Sequence, residues 1–229
     1  MSDFFAAVWA VVRKDLQIEF RTRQIISVMV MFSLVTIIMF NFAVGFTLDA
    51  ARSSSTGLLW ATVLLAATLG LNRSLATDRE NQVFDALLIA PIPRNAIYLG
   101  KVISITLFML LMELILVVLF TVFFNQPFYQ LPVILMLVLG TIGFIAAGVL
   151  VTSMTIQTRA RDVLLPVLLL PLSLPLVLPA ASATATYISA AAAGGATWGE
   201  VQSAFLLVLA YDILMLAAGF LTYRFVVES

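Results

Sequence analysis

The sequence predicts an all-α integral membrane protein with six transmembrane helices, preceded by an amphipathic helix in the plane of the interface. Three observations carry this. Of 229 residues, 62% are hydrophobic and only 10% charged, against roughly 45–50% and 25% in a soluble domain. Six segments approach the roughly 20 apolar residues that a helix needs to cross the hydrocarbon: Ile25–Phe46, Thr56–Leu71, Ile97–Phe124, Leu131–Ile156, Val163–Ala181 and Ala204–Phe225. The basic residues between them alternate from side to side. Residues 1–229 read as one domain, with an interfacial helix at 1–24 and the six-helix membrane part at 25–225.

Arg13, Lys14, Arg21 and Arg23 precede the first span. Arg73, Arg79, Arg94 and Lys101 flank the second connection, Arg159 and Arg161 the fourth, and Arg224 the tail. The alternate loops hold only Arg52. Lys and Arg concentrate in cytoplasmic loops, so both termini are expected in the cytoplasm and the span count is expected to be even. Asp3, Arg13, Lys14 and Asp15 argue against a cleaved signal peptide.

In the first segment Phe5, Trp9, Val12, Leu16 and Phe20 recur at steps of three and four, which marks one helical face. Arg13, Lys14, Gln17 and Arg21 fall off it. This pattern predicts a helix lying along the cytoplasmic interface with Trp9 at headgroup depth.

The second connection predicts a short helix from Asp78 to Ala90. Thr77 and Glu80 have capping-box spacing, Asp78 and Glu80 suit the positive end of its dipole, and Pro91 and Pro93 stop it. Phe84, Leu87 and Leu88 form an apolar face that must dock on something. Asp78, Glu80 and Asp85 would set the register against a basic partner.

The fifth span carries Pro166, Pro171, Pro175 and Pro179. Each removes a helical hydrogen bond, so the span is expected to bend, with its proline face against protein or a cavity. The small, weakly polar stretch after it, Ser182–Ala193, predicts one or two separate short helices at the outer face. Thr197 and Glu200 repeat the capping-box spacing and open the last helix.

Glu113 and Asp212 lie deep in the third and sixth spans. An ionisable group at that depth costs about 2.5–3.5 kcal/mol on insertion scales. It lines a pathway, or it anchors a neighbouring helix through Ser, Thr or Tyr; the residues leave both open. Gly140, Gly143 and Gly148, with Ala146 and Ala147, predict close helix approach in the fourth span.

The chain has no cysteine and no histidine. Thiolate nucleophiles, imidazole bases and Cys/His metal sites are therefore excluded. No Gly-rich phosphate loop occurs, so any ATP chemistry belongs to another chain. The expectation is a non-catalytic membrane subunit that binds no metal. Twelve basic residues balance twelve acidic ones, and no nucleic-acid partner is expected.

The run Asp78-Arg79-Glu80, Phe84-Asp85-Ala86-Leu87-Leu88, Ala90-Pro91-Ile92-Pro93 and Gly100-Lys101 resembles the permease pattern of ABC-2-type exporters. Two stretches narrow the resemblance to the haem exporter permease family CcmB of the cytochrome c maturation system. They are Thr56-Gly57-Leu58-Leu59-Trp60-Ala61 leading to Leu71-Asn72-Arg73, and Arg159-Ala160-Arg161-Asp162-Val163-Leu164-Leu165-Pro166 running into Leu169-Leu170-Pro171-Leu172. The opening Arg13-Lys14-Asp15-Leu16-Gln17-Ile18-Glu19-Phe20-Arg21 is similar to the same family's start. The resemblance spans roughly residues 10–180. It departs at Asn81, where the family usually has Gly, and over the last stretch only hydrophobicity matches.

This resemblance implies a bacterial inner-membrane permease whose short cytoplasmic helix is a coupling helix seated in an ATPase. Asp78, Arg79, Glu80, Phe84, Asp85, Leu87, Leu88 and Pro91 would carry that contact. It implies a CcmA-like ATPase holding ATP and Mg, CcmC-like and CcmD-like membrane proteins, and a CcmE-like haem chaperone. Haem would be cargo, or would leave on the loaded chaperone. The lack of His fits the second version. The residues themselves leave three classes open: an ABC permease, for haem or for another cargo; a proton-driven transporter using Glu113 or Asp212; and a scaffold that transmits ATPase motion.

Overall fold

The computed structural model describes residues 2–43, 48–80, 92–155 and 161–228. Among them are seven α-helices: α1 Ser2–Thr22, α2 Gln24–Ala43, α3 Leu48–Glu80, α4 Arg94–Phe124, α5 Leu131–Thr155, α6 Arg161–Ala192 and α7 Gly199–Glu228. Six hold a stretch long and apolar enough to cross a membrane: Gln24–Ala43, Ser54–Asp78, Arg94–Phe124, Leu131–Met154, Leu164–Ala192 and Val201–Tyr223. The chain is an all-α, multi-pass membrane protein, as its apolar runs predict.

Helix α5 is the centre. It packs on α3, α4, α6 and α7, and 67% of its spanning stretch is buried, against 22% in α7 and 28% in α2. Small residues make this possible. A Cβ at Gly140 would strike the Trp60 ring, and one at Gly148 would strike Leu71. Lipid supplies no hydrophobic drive between helices, so close packing and interhelical hydrogen bonds do the joining. Trp60 Nε1–H donates to Thr184 Oγ1 at 3.3 Å, tying α3 to α6. The Tyr98 hydroxyl of α4 reaches the Ala146 carbonyl of α5 at 3.1 Å and the Met215 carbonyl of α7 at 3.3 Å.

Two expectations are corrected. Helix α3 does not end near Leu71, and no new helix starts at Thr77. It runs on to Glu80, and the Thr77 hydroxyl donates to the Arg73 carbonyl within the same helix at 3.0 Å. The polar residues past Leu71 end the hydropathy signal without ending the helix, because Ser74, Thr77 and Asp78 are buried.

The stretch Ser182–Ala193 does not form separate short helices. Helix α6 continues through all four prolines to Ala192. The hydroxyls of Thr184, Thr186 and Ser189 donate to carbonyls four residues back, so its polar groups are satisfied inside one helix. The helix closes at Gly194, with φ of 78°, and the Gly195 N–H reaches the Ala190 carbonyl at 3.0 Å, a left-handed cap that favours glycine.

The proline face of α6 is only partly covered within this chain. Leu165, Leu169, Ser173, Leu176 and Ala180 make the buried stripe of α6. That stripe leaves Pro171 and Pro175 on the exposed side and Pro166 and Pro179 half-buried.

Candidate functional site

Two ends of the bundle differ in chemistry. One carries the basic residues of α1, the end of α3 and the start of α4; the other carries Arg52. The first holds the candidate site.

Helix α1 lies on α4 through Ala7, Val8, Val11 and Val12, all buried. The approach is close because Gly100 lets Val8 and Val11 sit against the α4 backbone. The buried stripe continues one turn further into Asp15 and then Glu19. Phe5, Trp9 and Phe20 are exposed instead, while Arg13, Gln17 and Arg21 project to a third side. The single apolar face expected from the sequence is thus divided. Val12 turns inward, and Phe5, Trp9 and Phe20 form a separate outward stripe.

Glu19 shapes the corner between α1 and α2. Its carboxylate accepts the backbone N–H of Ile25 at 3.1 Å and of Ile26 at 2.8 Å. An anion at a helix N-terminus satisfies donors that the helix itself cannot. The chain turns there at Arg23, with φ of 51°. Arg73 of α3 braces the corner by donating to Gln24 Oε1 at 2.7 Å.

Four charges meet beside it. Lys101 Nζ lies 2.5 Å from Asp78 and 3.1 Å from Asp15. Lys14 Nζ lies 2.7 Å from Asp15 and 3.5 Å from Asp78. The Ser104 hydroxyl donates to Asp15 at 2.7 Å. Asp15, Asp78 and Lys101 are buried, each at most 8% exposed. Burial pushes the Asp15 carboxyl up, but the Lys101 and Lys14 ammonium groups and the Ser104 hydroxyl outweigh it and hold it below its ordinary value. Tyr223 of α7 is buried within electrostatic reach of Lys101 and Asp78.

Asp78 is therefore not the partner-facing charge that the capping-box reading makes it; it is a buried member of this cluster. Lys14 belongs to the same cluster and does not project freely from the interfacial helix. Arg79 and Glu80 fall in the last turn of α3. Phe84, Asp85, Leu87, Leu88 and Pro91 lie outside the described residues.

Sequence reasoning missed Asp15, Lys101 and Ser104. Signals were present. Lys101 interrupts an apolar run, which at the edge of a span demands a partner. Asp15 and Glu19 continue the line of Val8, Val11 and Val12.

Within the spans, Glu113 accepts the Thr141 hydroxyl, joining α4 to α5. It lines a crevice of about 240 Å³ with Leu110, Leu114, Val117, Ile134, Leu137 and Val138. Asp212 is buried against Gly143 of α5, and neither carboxyl oxygen has a hydrogen-bond partner among the described residues. At the opposite end, Arg52, Thr56, Gln126, Ile188 and Ser189 surround a cavity of ≈ 250 Å³. Among the described residues no group of three or more carboxylates is placed to hold a metal ion.

A family model described as CcmB protein matches residues 6–222. The chain is 28% identical over 172 residues to heme exporter protein B of Pseudomonas aeruginosa, covering 75% of this chain and 76% of that one. It is 29% identical over 165 residues to heme exporter protein B of Rhodobacter capsulatus, covering 71% and 75%. Over 96 residues it is 31% identical to heme exporter protein B of Escherichia coli, covering 42% and 44%.

Proposed function

This chain belongs to the CcmB family, and from that premise we propose that it is the membrane permease subunit of an ABC-type haem export system serving cytochrome c maturation. The observation that carries the reading is the match over residues 6–222, on a chain with six helices fit to cross a membrane. The printed names of its relatives point to haem export. The lack of a phosphate-binding loop in its sequence assigns ATP and Mg to a separate, CcmA-like subunit. The remaining partners are CcmC-like and CcmD-like membrane proteins and a CcmE-like chaperone. The stroke exports haem or releases the haem-loaded chaperone.

The proposed setting is the bacterial inner membrane, with the four-charge end and both termini in the cytoplasm. In that orientation the outward stripe of Phe5, Trp9 and Phe20 enters the lipid interface while Arg13 and Arg21 face water. The segment 81–91 leaves the end of α3 on the ATPase side. Its Phe84, Leu87 and Leu88 are the anchor, because apolar side chains on a charged cytoplasmic segment call for a partner.

Truncating an anchor of this kind costs about 2 kcal/mol or more of binding. Phe84→Ala and Leu88→Ala should therefore insert normally and lose the ATPase on co-purification. Normal insertion with full ATPase retention and full coupled ATP hydrolysis would overturn the assignment.

A further inference from the structure

We propose that the Asp78–Lys101 pair is a clasp at the base of the 81–91 segment, and that it stays closed while ATP is hydrolysed. The inference rests on the reading that this segment meets the ATPase. Asp78 is near the last turn of α3, just before the segment; Lys101 is about two turns into α4, the helix that follows it. Their 2.5 Å contact closes the chain between them into a loop. Force arriving at the loop then reaches α3 and α4 as one body.

Three features favour a clasp that does not open. Each carboxylate touches both ammonium groups, so parting Asp78 from Lys101 disturbs all four charges. The site is buried, and separating charges away from water leaves each without hydration or partner. Helix α1 closes over it, with Val8 and Val11 seated at Gly100, the residue beside Lys101. Opening the clasp would mean lifting α1 off α4. Asp15 instead adds α1 to the same rigid unit. Asp78 and Lys101 are thus positioning residues, acting through the segment they enclose.

The chain has no cysteine, so an introduced pair is unique. In the complex with its ATPase, the double variant Asp78→Cys, Lys101→Cys removes the ion pair. It should keep the ATPase on co-purification and lose about tenfold or more of the coupled ATP hydrolysis, the range of a typical coupling energy. Joining the two cysteines with a short bis-thiosulfonate should restore hydrolysis, and reductant should abolish it again. A merely structural pair would not give this reversible rescue. Full hydrolysis before cross-linking, or none after it, would overturn the clasp.

A second measurement leaves the pair native. Spin labels on Ala76→Cys and Leu99→Cys should report one unchanged distance with ADP, with ATP and during turnover. A distance that changes with nucleotide would overturn the proposal. If the native chain holds no ATPase, the function reading itself falls, and the clasp with it. If the native chain couples normally and the uncross-linked double variant does too, only the clasp falls.

Discussion

The charged end and the middle of the bundle both bury carboxylates, and they treat them in opposite ways. At the charged end Asp15 and Asp78 share Lys14 and Lys101, with Ser104 adding a donor. In mid-span Glu113 has a single threonine, and Asp212 has a glycine for a neighbour and no hydrogen-bond partner among the described residues. Lysine stems can reach the cluster because it sits where helices end, near water. Among the described residues no such cation lies beside Glu113 or Asp212. The first region pairs its charges, while in the second only Glu113 bridges two helices, α4 and α5, through Thr141.

The strongest way to break this contrast is Lys101→Met. It leaves two buried carboxylates facing one ammonium group, and breaking a buried pair in this manner costs about 3–5 kcal/mol. Thermal unfolding in detergent should show it. Pairing Lys101→Met with Asp78→Asn restores the charge balance and should recover part of the loss. If the double variant is no better than the single, the four charges do not act together.

Acid sharpens the contrast next. The folded-state value of Asp15 lies below its ordinary one, so its contribution is complete above the unfolded value of about 3.9. It is lost only as pH falls below that, through the lower folded value. The unfolding temperature should therefore show no Asp15-dependent change between about pH 5 and pH 8. Below about pH 4 it should fall, and Asp15→Asn should remove that part of the acid limb.

The smallest effect belongs to the mid-span region. Glu113→Gln keeps a partner for Thr141 and should match the parent in stability and coupled ATP hydrolysis. Glu113→Leu should cost about 0.6 kcal/mol, the average for an interhelical hydrogen bond in a membrane protein. Equal loss of hydrolysis in both variants would mean that ionisation of Glu113 takes part in the cycle.

The six apolar runs were legible because lipid imposes one simple rule on any helix that crosses it. Their ends were less so. Hydropathy stops at Asn72, while α3 continues for as long as Ser74, Thr77 and Asp78 find burial and partners. In α6 the prolines and the Ala/Ser/Thr run look like breaks. The buried stripe from Leu165 to Ala180 and the internally bonded hydroxyls nevertheless carry the helix through. Glu113 and Asp212 were visible as anomalies of composition, and Gly140, Gly143 and Gly148 as points of close approach. The charge cluster was not visible, since Asp15 and Lys101 are 86 residues apart and nothing local pairs them.

That separation also sets a schedule. At about 5–20 residues per second, the ribosome makes Lys101 roughly 4–17 s after Asp15. Through that interval Asp15 and Lys14 lack Lys101, and through most of it they lack Asp78 as well. Only when α4 arrives, with Gly100 and Lys101 side by side, can α1 find its seat. Helix α1 is made before α4, yet its seat at Gly100 and Lys101 exists only once α4 has been made.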